Sequence, residues 1–545
     1  MYPIALAIIV FWAYQYILDT GYDIFNLLSQ IALSYFSIVY IIKTIVNKAD
    51  PDFFKRSWFD FAAIIISFIF FSHPLVFQTY IIIRQVVLFF TKLISSQPAV
   101  TIFTRFRNQP AKIILISFLI TILFGTILLS LPFASSTGES IGFINALFTS
   151  TSATCVTGLI VLDTGSAFSL FGKVIIFILM QIGGLGIMTF SSALILFFYK
   201  QISFGGQALM KGVIGEGTRE NMFHLLRGIV ITTLTFEVIG AFLLFIKFRA
   251  VLPDTTSAVA YSFFHSVSAF CNAGFCLYPD SFIRFQSSWL VNIVMMALII
   301  SGGLGFGVLI DIKKNGLRRH GLKYLSLHSK IVLTFTAGLI LGGALLIYVF
   351  EYGNLYQDLP FKNGFLASLF QSVTARTAGF NTIPISEVGY ATIPALITLM
   401  FIGASPGSTG GGVKTTTFAV LVLSIWSLIR GRDDVEIFNR SISQDIIKRV
   451  IALVGIALGI LITLIIVLCL SEEAPFEDII FEAFSAFGTV GLSRGLTPHL
   501  TSVGKIAIII LMYLGRVGPL TIGFALSERK KKMYYHYTKE EIAIG

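Results

Sequence analysis

The sequence predicts an all-α polytopic membrane protein in which four helix–pore loop–helix repeats surround one pseudo-fourfold pore, preceded by extra N-terminal transmembrane helices. Three observations support this: few charged residues, a series of apolar spans, and two glycine motifs that recur in register four times. Hydrophobic residues make up 55% of the 545 residues and charged residues only 12%. Ordinary globular proteins carry about 25% charged residues, so this chain cannot cover a water-soluble surface.

The charge composition also excludes several functional classes. Lys and Arg number 39 against 28 Asp and Glu, a net charge of +11. A soluble enzyme, a disordered regulator and a secreted disulfide scaffold are excluded, and a nucleic-acid-binding protein is disfavoured because its basic residues would need one soluble face. The four cysteines form no CxxC pair, so neither a zinc site nor a redox pair is predicted.

Apolar spans long enough to cross a bilayer occur along the whole chain, since a core of about 30 Å needs roughly 20 residues per helix. They are 3–18, 24–47, 57–72, 75–97, 113–133, 173–199, 225–247, 287–311, 330–350, 391–430, 450–470 and 504–525. Shorter apolar stretches lie between some spans, at 143–157, 259–273, 363–378 and 478–490. These are too short to cross and suit re-entrant segments, which are tolerated at membrane depth only where they line a protein-enclosed or water-filled cavity.

The basic residues predict the orientation of the chain. Most of the 39 Lys and Arg residues fall in one set of loops and termini, which should face the cytoplasm by the positive-inside tendency. All four re-entrant stretches then open to the outside, and the C-terminus is cytoplasmic.

Four units of helix, re-entrant stretch and helix repeat along the chain. The re-entrant stretches end in Gly158, Gly274, Gly379 and Gly491, and second glycine clusters begin at Gln181, Ser301, Gly403 and Leu514. Two motifs that recur in register predict one shared architecture. The predicted domains are accessory helices at 1–100, pore repeats at 110–200, 225–312, 330–430 and 448–528, and a cytoplasmic tail at 529–545.

The glycine turns carry the chemistry. A re-entrant helix that points its C-terminal end at the membrane centre favours a cation there, because that end has partial negative charge. Glycine allows the following turn conformations closed to other residues, and four such turns form a ring of carbonyls able to replace the hydration shell of an alkali ion. The predicted ion-binding filter consists of Val156, Thr157, Gly158, Asn272, Ala273, Gly274, Thr377, Ala378, Gly379, Thr489, Val490 and Gly491.

These turns resemble the four filters of the Trk/Ktr/HKT superfamily of potassium transporters. The sequences that carry the resemblance are Thr-Cys-Val-Thr-Gly, Cys-Asn-Ala-Gly-Phe, Arg-Thr-Ala-Gly-Phe and Thr-Val-Gly-Leu. Within the superfamily the chain is most similar to the Ktr-type membrane subunit of the TrkH family (KtrB-like), over about 110–545, and residues 537–545 resemble the usual ending of that subfamily.

The resemblance implies non-enzymatic potassium uptake across the cell membrane by a homodimer with one pore per protomer. It also implies a cytosolic ring of nucleotide-binding regulatory subunits of the KtrA or TrkA type. In related plant transporters a serine in place of the first filter glycine accompanies sodium selectivity. Gly158 therefore favours potassium, and sodium is left open as a second ion.

A candidate gate lies in the third repeat. Its second helix is interrupted by glycines and Pro406 between Gly403 and Gly412, which predicts an unwound loop because proline and glycine disfavour helix. The resemblance implies an intramembrane gating loop here. Arg516 lies mid-membrane, at an insertion cost of at least about 2.5 kcal/mol, and the resemblance places it against this loop. The predicted gate residues are Gly407, Gly410, Gly411, Gly412, Lys414 and Arg516; the alternative is a structural arginine paired with a helix-end carboxylate.

Other residues and an alternative function give further predictions. Arg376 and Arg494 are predicted to stabilise pore turns or the outer mouth, Lys414 to extend toward the cytoplasm, and Glu237 to pair internally. The first four spans are predicted as accessory packing helices, because a voltage sensor needs several spaced arginines. The alternative function, a symporter coupled to Na+ or H+, predicts inverted repeats with a midplane ionisable residue, whereas these units run in parallel.

Overall fold

The computed structural model describes residues 110–198, 219–316, 321–432 and 434–518, all of which belong to one compact unit. The predicted accessory helices of 1–100 and the predicted tail of 529–545 lie outside these residues, so both stay predictions. Within the described ranges the helices are α1 Pro110–Leu129, α2 Phe143–Thr154, α3 Thr164–Ala167, α4 Leu170–Phe198, α5 Arg219–Phe248, α6 Thr255–Phe270, α7 Trp289–Leu304, α8 Phe306–Asp311, α9 Leu327–Glu351, α10 Phe361–Thr374, α11 Thr392–Phe401, α12 Thr415–Ile429, α13 Gln444–Ser471, α14 Phe476–Gly488 and α15 Ser502–Val517.

These helices form four units of the same plan. In each repeat an outer helix (α1, α5, α9 or α13) is followed by a pore helix (α2, α6, α10 or α14) and then by an inner helix. The inner helix is α4 in repeat 1, α7 with α8 in repeat 2, α11 with α12 in repeat 3, and α15 in repeat 4. The structure therefore has the helical, fourfold-repeated fold class that the sequence predicts.

The pore helices are too short to cross a membrane. They contain 12 to 16 residues, roughly 18–24 Å at 1.5 Å per residue, against a bilayer core of about 30 Å.

In α6 the Asp254 side chain accepts a hydrogen bond from the Ser257 amide at 2.7 Å. That bond caps the helix and holds the pKa of the Asp254 carboxyl below its ordinary value.

The outer helices have the length and surface of membrane-spanning segments. By length and composition, four described helices can cross a membrane, or five when the bent pair Trp289–Leu304 and Phe306–Asn315 is taken as one span. The four segments are Lys112–Leu129, Arg227–Phe248, Leu327–Glu351 and Gln444–Ser471. Ile127, Phe242 and Leu345 on these helices are at least 60% exposed, and such apolar surface suits contact with lipid rather than water.

The span predicted as one helix at 287–311 is broken. α7 and α8 meet at an angle of 97° at Gly305, whose φ of +91° lies in the left-handed region. The amide of Phe306 donates to the Gly407 carbonyl at 3.0 Å instead of continuing the helix. A loop from repeat 3 thus takes the place of one helical turn in repeat 2.

A glycine in three outer helices lets the pore helix approach closely. The Ser150, Ser266 and Ser372 hydroxyls on the pore helices donate to outer-helix carbonyls of Ile122, Glu237 and Ile340 at 2.7 to 2.8 Å. A Cβ at Gly125, Gly240 or Gly343 would meet these same serines and an inner-helix leucine, Leu179, Leu298 or Leu399. In repeats 1, 2 and 3, three helices therefore meet at one small residue.

A short β-hairpin precedes the fourth repeat and was not predicted. β1 Val435–Ile437 pairs antiparallel with β2 Arg440–Ile442 in the register Val435 to Ile442. Its two turn residues, Phe438 and Asn439, both have positive φ, the geometry of two-residue hairpin turns that match strand twist. Val435 and Ile442 pack in one buried cluster with Val420 of α12, which fixes the linker to the third repeat.

Candidate functional site

The four predicted filter segments share one backbone conformation. Their glycines have φ between +72° and +93°. The residue two positions earlier is left-handed as well, with φ between +50° and +84° at Val156, Asn272, Thr377 and Thr489. A residue with a side chain pays about 1–2 kcal/mol for this conformation. Such strain persists where the surrounding structure enforces it, typically at functional sites.

The four glycines close a ring. A Cβ at Gly158 would lie 2.8 Å from the Gly274 Cα, and a Cβ at Gly274 would lie 3.4 Å from the Gly379 Cα. The ring continues from Gly379 to Gly491 at 3.1 Å and from Gly491 back to Gly158 at 3.0 Å. Any side chain here would collide with the next repeat.

A carbonyl of the neighbouring repeat faces each glycine in this ring. The Ala273 oxygen lies 2.7 Å from a Cβ position at Gly158, and the Ala378 oxygen lies 2.8 Å from one at Gly274. Val490 supplies the corresponding oxygen at Gly379, and Thr157 at Gly491. Four backbone oxygens from four repeats are therefore brought to one level.

Pore-helix serines hold the filter segments in three repeats. Ser152 accepts from the Gly158 amide at 3.1 Å and donates to the Leu159 carbonyl at 2.7 Å. Ser485 accepts from the Gly491 amide at 3.1 Å, and Ser268 donates to the Phe275 carbonyl at 2.8 Å. These supports were missed from the sequence, although a serine six residues before the glycine recurs in repeats 1, 2 and 4.

The third filter segment is built differently. Thr374 corresponds to Ser268, since both precede an alanine at the end of the pore helix, but one residue fewer separates it from its glycine. Among the described residues the Thr374 hydroxyl has no hydrogen-bond partner, and its carbonyl accepts from the Ala378 amide at 2.9 Å. The shorter link explains why the hydroxyl does not reach the filter.

The second glycine cluster packs against the ends of the pore helices. A Cβ at Gly183, Gly302 or Gly515 would collide with the carbonyl oxygen of Thr154, Phe270 or Phe487, respectively. The recurrence of these glycines was evident from the sequence, but their partners were not. The inner helices of repeats 1, 2 and 4 therefore pack closely against the ends of the pore helices.

The candidate gate is the segment Ile402–Lys414 between α11 and α12, which contains no helix. Its two ends are joined by hydrogen bonds, from the Gly403 amide to the Val413 carbonyl at 2.8 Å and from the Thr415 amide to the Ala404 carbonyl at 3.3 Å. We call Ile402–Lys414 the loop.

The loop is tied to repeats 2 and 4. The amides of Ser405 and Thr409 donate to the Gly303 and Gly302 carbonyls at 3.0 and 3.2 Å. On the other side, the Gly412 amide donates to the Gly515 carbonyl at 3.2 Å. These bonds satisfy backbone groups that a buried, non-helical segment would otherwise leave unpaired.

The loop packs directly against the filter. The Gly411 amide donates to the Thr489 hydroxyl at 3.0 Å, and a Cβ at Gly410 would lie 3.0 Å from the Thr377 Cβ. Thr377 and Thr489 are the left-handed filter residues of repeats 3 and 4. The loop thus covers the predicted filter segments at the end where the pore helices stop.

Arg516 joins the loop to repeat 1. It is 2% exposed, and its guanidinium donates to the carbonyls of Thr409 in the loop and Gly183 in α4. The Lys414 ammonium donates to the Gly410 carbonyl at 2.7 Å. In the described part of the chain no carboxylate pairs with Arg516, so its observed partners are backbone oxygens.

The remaining polar residues that the sequence singled out lie around this centre. Arg494 forms an ion pair with Asp478 at 2.5 Å, whereas Arg376 donates to the Gly403 carbonyl at 3.5 Å and so points at the loop. The Glu237 carboxylate accepts a hydrogen bond from the side-chain amide of Gln181 at 3.3 Å. Arg494 therefore pairs with a carboxylate and Arg376 with the loop backbone, although both lie three residues from a filter glycine.

Comparisons with known proteins identify the family of this chain. The family model described as TrkH, cation transport protein, matches residues 74–535. The Ktr system potassium uptake protein B of Bacillus subtilis is 41% identical over 443 residues, which cover 81% of this chain and 97% of that protein. The potassium/sodium uptake protein NtpJ of Enterococcus hirae is 40% identical over 450 residues, 81% of this chain and 98% of that protein.

A solved structure has the same fold. The crystal structure of the potassium transporter TrkH from Vibrio parahaemolyticus matches with a TM-score of 0.60 at 19% identity, covering 75% of this chain and 84% of that one. The relatives are transporters, so the predicted resemblance and the predicted non-enzymatic character are confirmed. With a family model over most of its length and relatives of about 40% identity, the chain belongs to the TrkH family of cation transport proteins.

Proposed function

We propose that this protein takes up potassium across the cell membrane through the four-glycine ring, and that the loop gates the passage. The ring is the observation that carries the proposal, because four strained segments converge with a carbonyl at each glycine. Both sequence relatives are named as potassium uptake proteins, one of them as a potassium/sodium uptake protein. Potassium is therefore the proposed ion and sodium the second candidate.

The pore helices supply the electrostatics of entry. All four end within three residues of the left-handed filter position, so their negative C-terminal dipoles converge on the ring. Carbonyl oxygens at this level replace water around a dehydrated cation. An ion then crosses down the membrane potential, which supplies about 2.3 kcal/mol per charge per 100 mV, and no covalent step is needed.

The loop and Arg516 form the proposed gate. The loop contacts Thr377 and Thr489 of the filter, and Arg516 fastens it to α4. Lys414 adds a second positive charge on the Gly410 carbonyl. Arg516 is buried and Lys414 is partly buried. These two cations beside the path repel a third, so the closed loop blocks passage by charge as well as by volume.

The predicted assembly remains part of the proposal. It comprises a homodimer with one pore per protomer, a cytosolic nucleotide-binding subunit of the KtrA or TrkA type, and a cytoplasmic C-terminus. One relative is named as part of a Ktr system, which supports a membrane subunit that works with other components. The proposed domains are those predicted from the sequence, with repeats at 110–200, 225–312, 330–430 and 448–528.

Growth of a potassium-uptake-deficient bacterium on low potassium tests the function. We expect rescue by this chain, expressed with its regulatory subunit, and uptake that does not require a sodium gradient. Failure of a well-expressed protein, alongside rescue by a known transporter, would contradict potassium uptake. Uptake that disappears when sodium and proton gradients are collapsed at constant membrane potential would favour the symporter instead.

A further inference from the structure

One pore-helix position recurs behind the filter in all four repeats. It directly precedes the serine that bonds to the outer helix in repeats 1 to 3, which is Ser150, Ser266 or Ser372, and it precedes the corresponding Ala483 in repeat 4. The residues at this position, here named the strut position, are Thr149, His265, Gln371 and Glu482. All four are buried, with exposures of 3% or less, although a buried polar side chain is costly unless it is hydrogen-bonded.

Glu482 holds the chain that leaves the fourth filter. One carboxylate oxygen accepts from the Ser493 hydroxyl and the other accepts from the Thr497 hydroxyl at 2.9 Å. Ser493 is the second residue after Gly491, and its hydroxyl also accepts from the Gly495 amide at 3.0 Å. The carboxylate therefore joins the pore helix to the segment immediately beyond the ring.

His265 makes the equivalent connection in the second repeat. Its Nδ1 lies 2.7 Å from the Tyr261 carbonyl, which requires a proton on Nδ1. Nε2 is then free to accept, and it does so from the Leu277 amide at 3.1 Å. Leu277 is the third residue after Gly274, and the stacked ring of Tyr278 and the edge-on ring of Phe282 hold the imidazole in place.

We propose that Glu482 and His265 are positioning residues. By bonding to the chain that follows the filter glycine, they set the geometry of the ring and hence its ion preference. The inference rests on the proposed function, since it assigns them a role in the filter. In repeats 1, 2 and 4 the pore-helix serine bonds to the filter glycine or to the residue directly after it, but the chain beyond that residue has left the helix and needs its own anchor. In these two repeats the strut position supplies that anchor from a rigid helix, and a displacement there moves the carbonyls that coordinate the ion.

Repeat 3 lacks this anchor. Gln371 occupies the strut position, yet within the described ranges neither atom of its amide group has a hydrogen-bond partner. The shorter link between α10 and Gly379 shifts the outgoing chain relative to the helix. The two anchors that the structure shows, at His265 and Glu482, belong to repeats 2 and 4, which lie opposite each other in the ring.

A matched pair of carboxylates allows a clean test. Glu472 is also buried and also in repeat 4. It accepts from the Thr501 amide at 3.0 Å, the Thr501 hydroxyl at 2.6 Å and the neighbouring Ser471 hydroxyl at 3.0 Å. It supports the start of α15 and not the filter. Glu482→Gln and Glu472→Gln are to be compared in cells for the apparent KM for potassium, the maximal rate, and the preference for potassium over sodium.

We expect Glu482→Gln to raise the KM about tenfold, the effect of losing one hydrogen bond to a charged group, and to lower the potassium preference. Glu472→Gln should leave both at wild-type values. If Glu482→Gln does not reach the membrane, Ser493→Ala removes one donor and keeps the carboxylate, and it should shift the KM in the same direction. Wild-type KM and preference in both Glu482→Gln and Ser493→Ala, or in Ser493→Ala alone if Glu482→Gln is absent from the membrane, would overturn the role of Glu482.

His265 is tested by rescue. His265→Leu removes the acceptor and should change the ion preference, whereas His265→Gln offers an amide oxygen to the Leu277 amide and should restore it. Equal loss in both, or no change in His265→Leu, would overturn the role of His265. A wild-type protein that takes up no potassium would instead defeat the proposed function itself, so the two failures are distinguishable.

Discussion

In repeats 1, 2 and 4 a pore-helix serine bonds to the filter segment, whereas in repeat 3 the Thr374 hydroxyl has no such partner among the described residues. Repeat 3 is also the repeat whose inner helix is replaced at its centre by the loop. Its polar contacts go to that loop instead, through Arg376 to Gly403 and through Thr377 beside Gly410. The repeat that departs from the fourfold pattern is thus the one that contains the candidate gate.

The largest effect on potassium uptake is expected at the glycine ring, where the four repeats meet. Gly158→Ser places a side chain at φ +90° and a Cβ 2.7 Å from the Ala273 carbonyl oxygen. The φ angle alone costs about 1–2 kcal/mol, and the contact adds to it. We expect potassium uptake to fall by more than about tenfold, with relative gain of sodium permeation, measured by uptake of both ions.

Gly459→Ser is the control for that change. Gly459 lies in outer helix α13, and nothing lies within 4 Å of its Cβ position. Uptake and expression should match the wild type. An unchanged potassium rate in Gly158→Ser would mean that the ring is not the path.

Weakening the attachment of the loop should raise the ion flux, whereas Gly158→Ser lowers it. Arg516→Ala removes the bonds to Thr409 and Gly183, each worth about 1.5–3 kcal/mol for a charged donor. The open form should gain population and the flux should rise by about tenfold or more, as should flux after deletion of the glycines 410–412. Isotope flux into proteoliposomes measures both.

Arg432→Ala serves as the matched arginine. Arg432 is exposed and its pair with Glu436 spans 3.6 Å, so its loss should leave the flux unchanged. Flux at the wild-type level in both Arg516→Ala and the loop deletion would rule out the gate.

A smaller effect is expected at the contact between repeats 2 and 3. A Cβ at Gly302 would collide with the Phe270 carbonyl and lie 2.9 Å from the Thr409 hydroxyl, whereas nothing lies within 4 Å of one at Gly307. Gly302→Ala should lower thermal stability in detergent by about 1–3 kcal/mol and displace the loop. Gly307→Ala, five residues away, should not; equal melting temperatures for the two would contradict the packing described.

The smallest effect is expected from removing the pore-helix hydroxyl, and it should differ between repeat 4 and repeat 3. Ser485→Ala deprives the Gly491 amide of its acceptor and should cost about 1 kcal/mol, seen as a several-fold rise in the KM for potassium. Thr374→Val removes a hydroxyl of nearly the same shape that has no partner within the described ranges, and its KM should not move. A rise of similar size in both variants would mean that repeat 3 is supported like the others.

The periodic part of this architecture could be predicted from the sequence. The positions of the pore helices and of the glycine turns follow from local motifs, because an αL turn after a buried helix requires glycine at a fixed place. The unwound loop at 403–412 follows in the same way from proline and glycine. Each of these features depends on a few consecutive residues.

The partners of those features could not be predicted. Arg516 donates to Gly183, and the Phe306 amide donates to Gly407; both bonds join different repeats and depend on how far the helices are displaced. The break at Gly305 is invisible in the apolar pattern of 287–311, because the replacement bond comes from another repeat. Glu482 was missed because a single acidic residue in a pore helix gives no signal until Ser493 and Thr497 face it.

The bond between Phe306 and Gly407 has a mechanical consequence. α8 begins at the residue whose amide holds the loop, and the chain leads on from α8 to Lys313 and Lys314. The loop cannot retract without either breaking that bond or pulling α8 with it. A pull on the basic segment that follows α8 is therefore transmitted through α8 to the loop, and the two ends of this linkage lie in different repeats.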